Sequence, residues 1–325
     1  MIPDIEPSRC EPALCLYGAR VLARKLWDML DEIPGVRENR DPECVHKMRV
    51  ASRRFRNALS LFSACFPQGE EKSWEREARK VARALGRARD LDVQKESVAE
   101  ALESVGDPHL KPGIERLLLR LTQSRERVQE SVLKAVTALD EGRLKGEMPE
   151  ALRALSVEMR LKGASESDAV VRDHAVLLVA RRFEELMAFD TVADRPERVE
   201  ELHAMRIAAK HLRYSLENFR PLFPGSADSF LERLKEMQDL LGVIHDCDVW
   251  IARLPAFMEE ERRKTLDYFG HARPFSRLRP GIVHLQEMFR DRRAERFSSF
   301  RKFWRDSRAL PSWVELPSVL RGDIP

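Results

Sequence analysis

Apolar residues recur every three or four positions along most of the chain, which is the spacing of amphipathic helices. The pattern predicts an all-α protein and no strand. Predicted helices cover residues 13–30, 41–66, 73–85, 108–139, 175–187, 202–224 and 283–304. We expect Gly86 to close the third of these, and Asp90 or Asp92 to cap a further helix that runs to about residue 105.

The helix predicted within residues 45–67 carries two stripes. Four basic residues recur at i, i+3, i+7 and i+10 and share about 80° of the helix surface: His46, Arg49, Arg53 and Arg56. An apolar stripe lies roughly 120° away: Met48, Phe55, Leu59 and Phe62. Burying several unpaired cations would cost several kcal/mol each. The basic stripe must therefore face water or an anion.

This stretch occurs twice. Residues 202–224 repeat residues 45–67 at an offset of 157, and the second basic stripe consists of His203, Arg206, Lys210 and Arg213. At an offset of 156, the run LGRARDLDV (85–93) is echoed by LGVIHDCDV (241–249). Two further basic positions repeat, Arg79 with Lys235 and Arg89 with His245. Conservation of charge in both copies favours anion binding over a merely solvated surface.

The duplication predicts the architecture. We expect two similar four-helix-type bundles, related by pseudo-two-fold symmetry, with a basic groove or cavity between them. The predicted boundaries are 1–141 for the first half, 142–165 for a connector, 166–306 for the second half and 307–325 for a C-terminal tail.

The composition limits the classes of partner that we expect for this protein. The 57 Lys and Arg nearly balance the 54 Asp and Glu, and the excess of Arg over Lys favours recognition of oxyanions. The five cysteines, Cys10, Cys15, Cys44, Cys65 and Cys247, show no CxxC spacing and predict reduced thiols. No apolar run approaches the ~20 residues of a membrane span, and the first residues are unlike a signal peptide. We expect a cytoplasmic protein without a membrane partner.

Sequence motifs for catalysis are absent. The DxD pairs Asp90/Asp92 and Asp246/Asp248 could bind Mg²⁺. We favour instead a role for these aspartates as helix caps or as ion-pair partners that orient arginines. Neither His46 nor His203 has a second metal ligand at i+3 or i+4. No P-loop, GxGxxG or HExxH motif occurs, so we expect no enzyme activity and no cofactor. The few tyrosines and the near-neutral charge argue against nucleic acid, although contact with its backbone stays open.

The duplicated H-x-x-R-[VI]-x-x-[RK]-x-x-R helix, with LGRARDLDV and KEMQDLLGVIHDCDV, resembles the CHAD domain, the conserved histidine α-helical domain, over residues 10–304. The resemblance implies an all-α pair of bundles that binds inorganic polyphosphate; metal chelation by the histidines is an older idea for the family. The implied binding set is His46, Arg49, Arg53, Arg56, Arg79, Arg89, His203, Arg206, Lys210, Arg213, Lys235 and His245. Val243 departs from the pattern, because the first half has Arg87 there.

The leading hypothesis is therefore non-enzymatic binding of inorganic polyphosphate. The alternatives are a metal-dependent phosphohydrolase and a protein that binds metal through histidines or the nucleic-acid backbone. Family members often carry a CYTH triphosphate-tunnel domain upstream. We expect none here, since the ExExK signature is absent, and we do not transfer the chemistry of such fusions. Association with polyphosphate granules and the role of the tail stay open.

Overall fold

The fold is helical throughout the part of the chain that the computed structural model describes, which comprises residues 11–39, 41–67, 69–165, 169–310, 313 and 316–321. No strand occurs in these ranges. The first helices are α1 (Pro12–Leu30), α2 (Ile33–Glu38), α3 (Pro42–Leu61), α4 (Glu70–Ser104), α5 (Lys111–Asp140), α6 (Arg143–Gly146) and α7 (Met148–Leu161). The others are α8 (Ala169–Met187), α9 (Val199–Phe219), α10 (Asp228–Phe269), α11 (Arg279–Arg308) and α12 (Leu316–Arg321).

The prediction that a helix ends at Gly86 is wrong. Helix α4 continues through it, so Asp90 and Asp92 lie in the helix interior and cap nothing. An interior glycine costs a helix about 1 kcal/mol. Burial of Leu85 and Ala88 on either side of the glycine offsets that cost. Helix α10 likewise runs unbroken through the second copy of the motif.

The segment predicted as a mixed connector, 142–165, is largely helical. It contains α6 and α7, and α7 packs along α1. Met148, Leu152 and Met159, which share one face of α7, are buried. The connector is therefore part of the first half's core.

The prediction that the cysteines are reduced is wrong for two of them. Cys15 in α1 and Cys65 just after α3 form a disulfide, with their Cα atoms 5.4 Å apart. The packing of α1 on α3 brings these residues together although 50 positions separate them. Cys44 and Cys247 are free thiols, and Cys10 lies outside the described residues.

The predicted tail is part of the second half. Helix α11 extends to Arg308, and Trp313 is almost completely buried. Its indole meets the ring of Phe183 edge-on and stacks on that of Phe230, at centroid distances of 5.9 and 6.2 Å. Helix α12 then packs against α8. Among the described residues, no helix is long and apolar enough to cross a membrane.

Contacts between the two halves hold α3 beside α9. Tyr17 of α1 stacks on Phe219 of α9, with ring centroids 5.7 Å apart, and its hydroxyl donates to the carbonyl oxygen of Asn218 at 2.8 Å. The Asn218 side-chain amide donates to Asn57 Oδ1 at 3.1 Å. These contacts place the two basic stripes next to each other.

A second core joins α4, α5, α10 and α11. Helices α5 and α11 approach each other closely at Gly113 and Gly281. A Cβ atom at Gly113 would lie 2.0 Å from the carbonyl oxygen of Leu278, and one at Gly281 would lie 1.9 Å from that of Leu110. Only glycine allows this crossing.

Candidate anion-binding cavity

A cavity of about 490 Å³ opens among α3, α4, α9, α10 and α11. Six of the residues predicted from the two sequence copies line it: His46, Arg49, Arg89, Arg206, Lys210 and His245. Three come from each copy. Two equivalent pairs meet there, Arg49 with Arg206 and Arg89 with His245, whereas the counterparts of His46 and Lys210 do not line the cavity.

Local sequence explains how the stripes are oriented. The carboxylate of Asp41 accepts a hydrogen bond from the backbone N–H of Glu43 at 2.8 Å, and Pro42 follows at the first helical position, so α3 begins as predicted. Met48 and Phe55 are fully buried, which turns the basic side of α3 out of the core. Met205 and Leu212 are buried in the same way on α9.

The cations of α3 and α9 are crowded together. Burial lowers the pKa of Arg53, and Arg49, Arg213 and Arg206 lower it further. The guanidinium carbon of Arg53 also lies 5.3 Å from the centroid of the Tyr214 ring. Like charges from both copies therefore share one region. An anion bound there would relieve their repulsion.

Burial and neighbouring cations also lower the pKa of Lys210. Burial, followed by the charges of Arg206, Arg53 and Arg49, lowers the pKa of its ammonium group to about 7. Burial also lowers the pKa of Arg206. Lys210 therefore loses its proton more readily than an ordinary lysine.

Several of these side chains have polar atoms without a partner. The buried atoms Nδ1 of His46 and Nε of Arg53, Arg56 and Arg206 make no hydrogen bond within the described part of the chain. A buried N–H left unsatisfied costs about 1–3 kcal/mol. A bound oxyanion would supply acceptors for such donors.

Three of the four aspartates, Asp90, Asp92 and Asp248, pair with arginines, and none of the four caps a helix. Arg49 Nη2 lies 3.2 Å from Asp90 Oδ1. In both copies the second aspartate holds an arginine of the following long helix. Arg125 Nε donates to Asp92 Oδ1 at 2.8 Å, and Arg293 Nε donates to Asp248 Oδ1.

The first aspartate of the second copy lies beside the cationic cluster. The pKa of Asp246 is raised because surrounding protein atoms displace its hydration, and Arg206 opposes that rise. In the described ranges, no group of three or more His, Cys, Asp and Glu side chains is arranged to hold a metal ion.

Two of the predicted histidines contact each other. The Nδ1 atoms of His203 and His245 lie 3.1 Å apart, so one carries the proton that the other accepts. Burial, with Arg206, His203 and Lys210, lowers the pKa of His245 to about 4. Burial and Arg89 lower the pKa of His46. These imidazoles are neutral at pH 7, and the charge of the site comes from Arg and Lys.

The remaining predicted residues lie elsewhere or are engaged. Arg56 and Arg79 form a separate group, in which Arg79 pairs with Glu75. Arg213 Nε donates to Glu217 Oε1 at 2.9 Å. Lys235 lines a second pocket, beside Arg296 of α11.

Sequence reasoning missed Arg292, which lines the main cavity from α11. Its neighbour Arg293 corresponds to Arg125 of the first half, because each pairs with the second aspartate of its own copy. With Arg293 aligned to Arg125, the residue of the first half that is equivalent to Arg292 is Ser124. The charge has no counterpart in the first copy, so comparison of the copies could not reveal it. The arginine-rich composition of α11 was the available signal.

Known protein families and solved structures include ones that are similar to this chain. The model of the CHAD domain family matches residues 20–255, a shorter range than the sequence resemblance suggested. Two uncharacterized proteins of Mycobacterium tuberculosis, from strains CDC 1551 / Oshkosh and H37Rv, are each 30% identical over 202 residues, which is 62% of this chain and 37% of theirs. The chain thus spans little more than a third of these relatives.

Among solved structures, the crystal structure of the CHAD domain from the plant Ricinus communis superimposes with a TM-score of 0.61 at 22% identity. The match covers 91% of this chain and 92% of that one. At this identity the likeness concerns the fold.

Proposed function

The chain belongs to the CHAD domain family, and from this membership and the cavity we propose that it binds inorganic polyphosphate without cleaving it. The observation that carries the proposal is the convergence of Arg49, Arg206 and Lys210 from both copies on one cavity. Each of these cations lies close to like charges. A polyanion would add counter-charge to these cations at several points at once.

The chemistry of arginine suits this ligand. Guanidinium groups bind phosphate through paired, charge-assisted hydrogen bonds. The basic stripe of α3 extends over roughly 15 Å at 1.5 Å per residue, and its first two members, His46 and Arg49, line the cavity. Because binding would release counterions, affinity should fall steeply as salt concentration rises. A cytoplasmic location, with or without association with granules, remains a sequence-based prediction.

The test reverses the charge of one arginine from each copy. We expect the double variant Arg49→Glu, Arg206→Glu to bind long-chain polyphosphate at least about 100-fold more weakly, since hydrogen bonds to charged groups contribute ~1.5–3 kcal/mol each. The matched control is Arg127→Glu, Arg290→Glu, which changes the net charge equally at exposed positions outside the cavity. Titration at a stated salt concentration measures affinity, and circular dichroism checks the fold.

Wild-type affinity in a folded Arg49→Glu, Arg206→Glu variant would refute the proposal. Incubation of the wild type with polyphosphate and Mg²⁺ or Mn²⁺ distinguishes the main rival. Release of phosphate that depends on Asp90 and Asp246 would indicate a phosphohydrolase.

A further inference from the structure

The lining of the main cavity changes character along α4 and α10. On α4 the lining passes from Arg89 to Val93, four residues later, and on α10 it passes from His245 to Val249 over the same spacing. Counted from Arg89, the lining of α4 continues to Glu100, roughly 16 Å further along the axis. The cavity thus has a cationic end and a second, different end.

The second end is apolar, with polar groups at its border. Val93 and Val249 line it, and Trp250 and Phe289 form its floor, stacked with ring centroids 5.2 Å apart. These rings belong to the second core and are almost fully buried, so the floor is rigid. Beyond Val93, α4 presents four polar side chains to the cavity, Gln94, Glu96, Ser97 and Glu100. Of these, Gln94 already accepts a hydrogen bond from Arg253 Nη1.

An inorganic phosphate chain uses only part of this lining. It has no apolar surface for the valines, and its oxygens would be repelled by the carboxylates of Glu96 and Glu100. Cavities of this size that combine apolar walls with a few convergent polar groups are typical of small organic ligands. Carboxylate and amide oxygens accept hydrogen bonds from N–H and O–H groups, which an inorganic chain lacks.

We propose that the cavity also takes purine nucleoside triphosphates, and prefers them to an inorganic chain of the same number of phosphates. The inference rests on the proposed function, because the same cations bind the phosphates. The triphosphate lies at Arg49, Arg206 and Lys210. The flat base lies against Val93 and Val249, and its amino group and the ribose hydroxyls donate to the polar side chains of α4.

The test compares ATP with inorganic triphosphate, by calorimetric titration of the full chain in EDTA at one salt concentration. We expect ATP to bind about tenfold more tightly, since the base adds apolar contact to an otherwise similar charge. Two variants probe the apolar wall, Val93→Ser and Val249→Ser. In both, the ratio of the two dissociation constants should fall towards one.

Val157→Ser is the matched control, because Val157 is an exposed valine on α7 outside the cavity. It should leave the ratio as in the wild type. Wild-type protein that binds ATP no more tightly than triphosphate overturns the inference, whether or not the variants fold. A preference for ATP that both folded wall variants retain also overturns it. In either case, binding of long-chain polyphosphate would leave the proposed function standing; its absence would refute that function as well.

Discussion

Lys210 is the residue whose chemistry reports most directly on the site. Burial, together with Arg206, Arg53 and Arg49, lowers the pKa of its ammonium group to about 7. An anion bound in the cavity acts in the opposite direction, because a nearby negative charge stabilises the ammonium form. Binding must then raise this pKa, and by linkage the protein must take up protons near and above pH 7.

We therefore predict that polyphosphate binding at pH 8 is accompanied by uptake of about one proton, and that affinity falls as pH rises from about 6 through 8. Calorimetry in buffers of different ionisation enthalpy measures the uptake. Lys210→Arg is the control, because arginine stays charged throughout this range. It should bind with little uptake at pH 8. Equal uptake in both proteins would assign the titration to another group.

At the scale of single helices, two interior glycines make room for the basic stripes. A Cβ atom at Gly86 of α4 would lie 3.8 Å from Arg49 Nε, and one at Gly242 of α10 would lie 4.0 Å from Arg206 Nε. These distances are ordinary van der Waals contacts, so a methyl group fits at either position. A longer side chain would extend into the space that the guanidinium group occupies.

Substitution of these glycines should separate stability from binding. We predict that Gly86→Ala and Gly242→Ala each stabilise the protein by up to about 1 kcal/mol through helix propensity, with polyphosphate affinity kept. Gly86→Leu and Gly242→Leu should displace the arginines and weaken binding several-fold. Thermal unfolding and polyphosphate titration measure the two effects. Leucine variants with wild-type affinity would show that binding does not need the arginines held against α4 and α10.

The sequence predicted the helices well where one face is apolar, as for Met48 and Phe55, because burial of that face decides the register. It failed where local preference and tertiary packing disagree. Gly86 has a low helix propensity, yet packing carries α4 through it. The disulfide between Cys15 and Cys65 depends on how α1 meets α3, which cysteine spacing alone does not reveal.

At the scale of the molecule, the repeat indicated twelve basic positions, of which six line one cavity and six do not. It did not predict which of them are already paired. Arg213 is engaged by Glu217, and that carboxylate also accepts hydrogen bonds from Arg54 of the other copy, at 3.0 and 3.3 Å. Residues 163 positions apart pair here through tertiary structure, which the comparison of one copy with the other does not contain.

Glu217 thus joins the two halves, and its carboxylate neutralises positive charge beside the site. Its side chain is 18% exposed and lies between Arg54 and Arg213. We predict that Glu217→Gln lowers the free energy of unfolding by about 1–3 kcal/mol, because two partly buried arginines lose their counter-charge. The same variant should bind polyphosphate several-fold more tightly, since those arginines can then pair with phosphate.

Glu75→Gln removes the same charge from the exposed pair with Arg79, so its effect on unfolding should stay within about 0.5 kcal/mol. Denaturant unfolding and polyphosphate titration of both variants measure the two quantities. If Glu217→Gln lost stability and gained no affinity, Arg54 and Arg213 would be structural cations outside the reach of the ligand. The binding surface would then be confined to the cations that line the cavity. A gain in affinity would extend that surface along α3 and α9 to the contact between the halves.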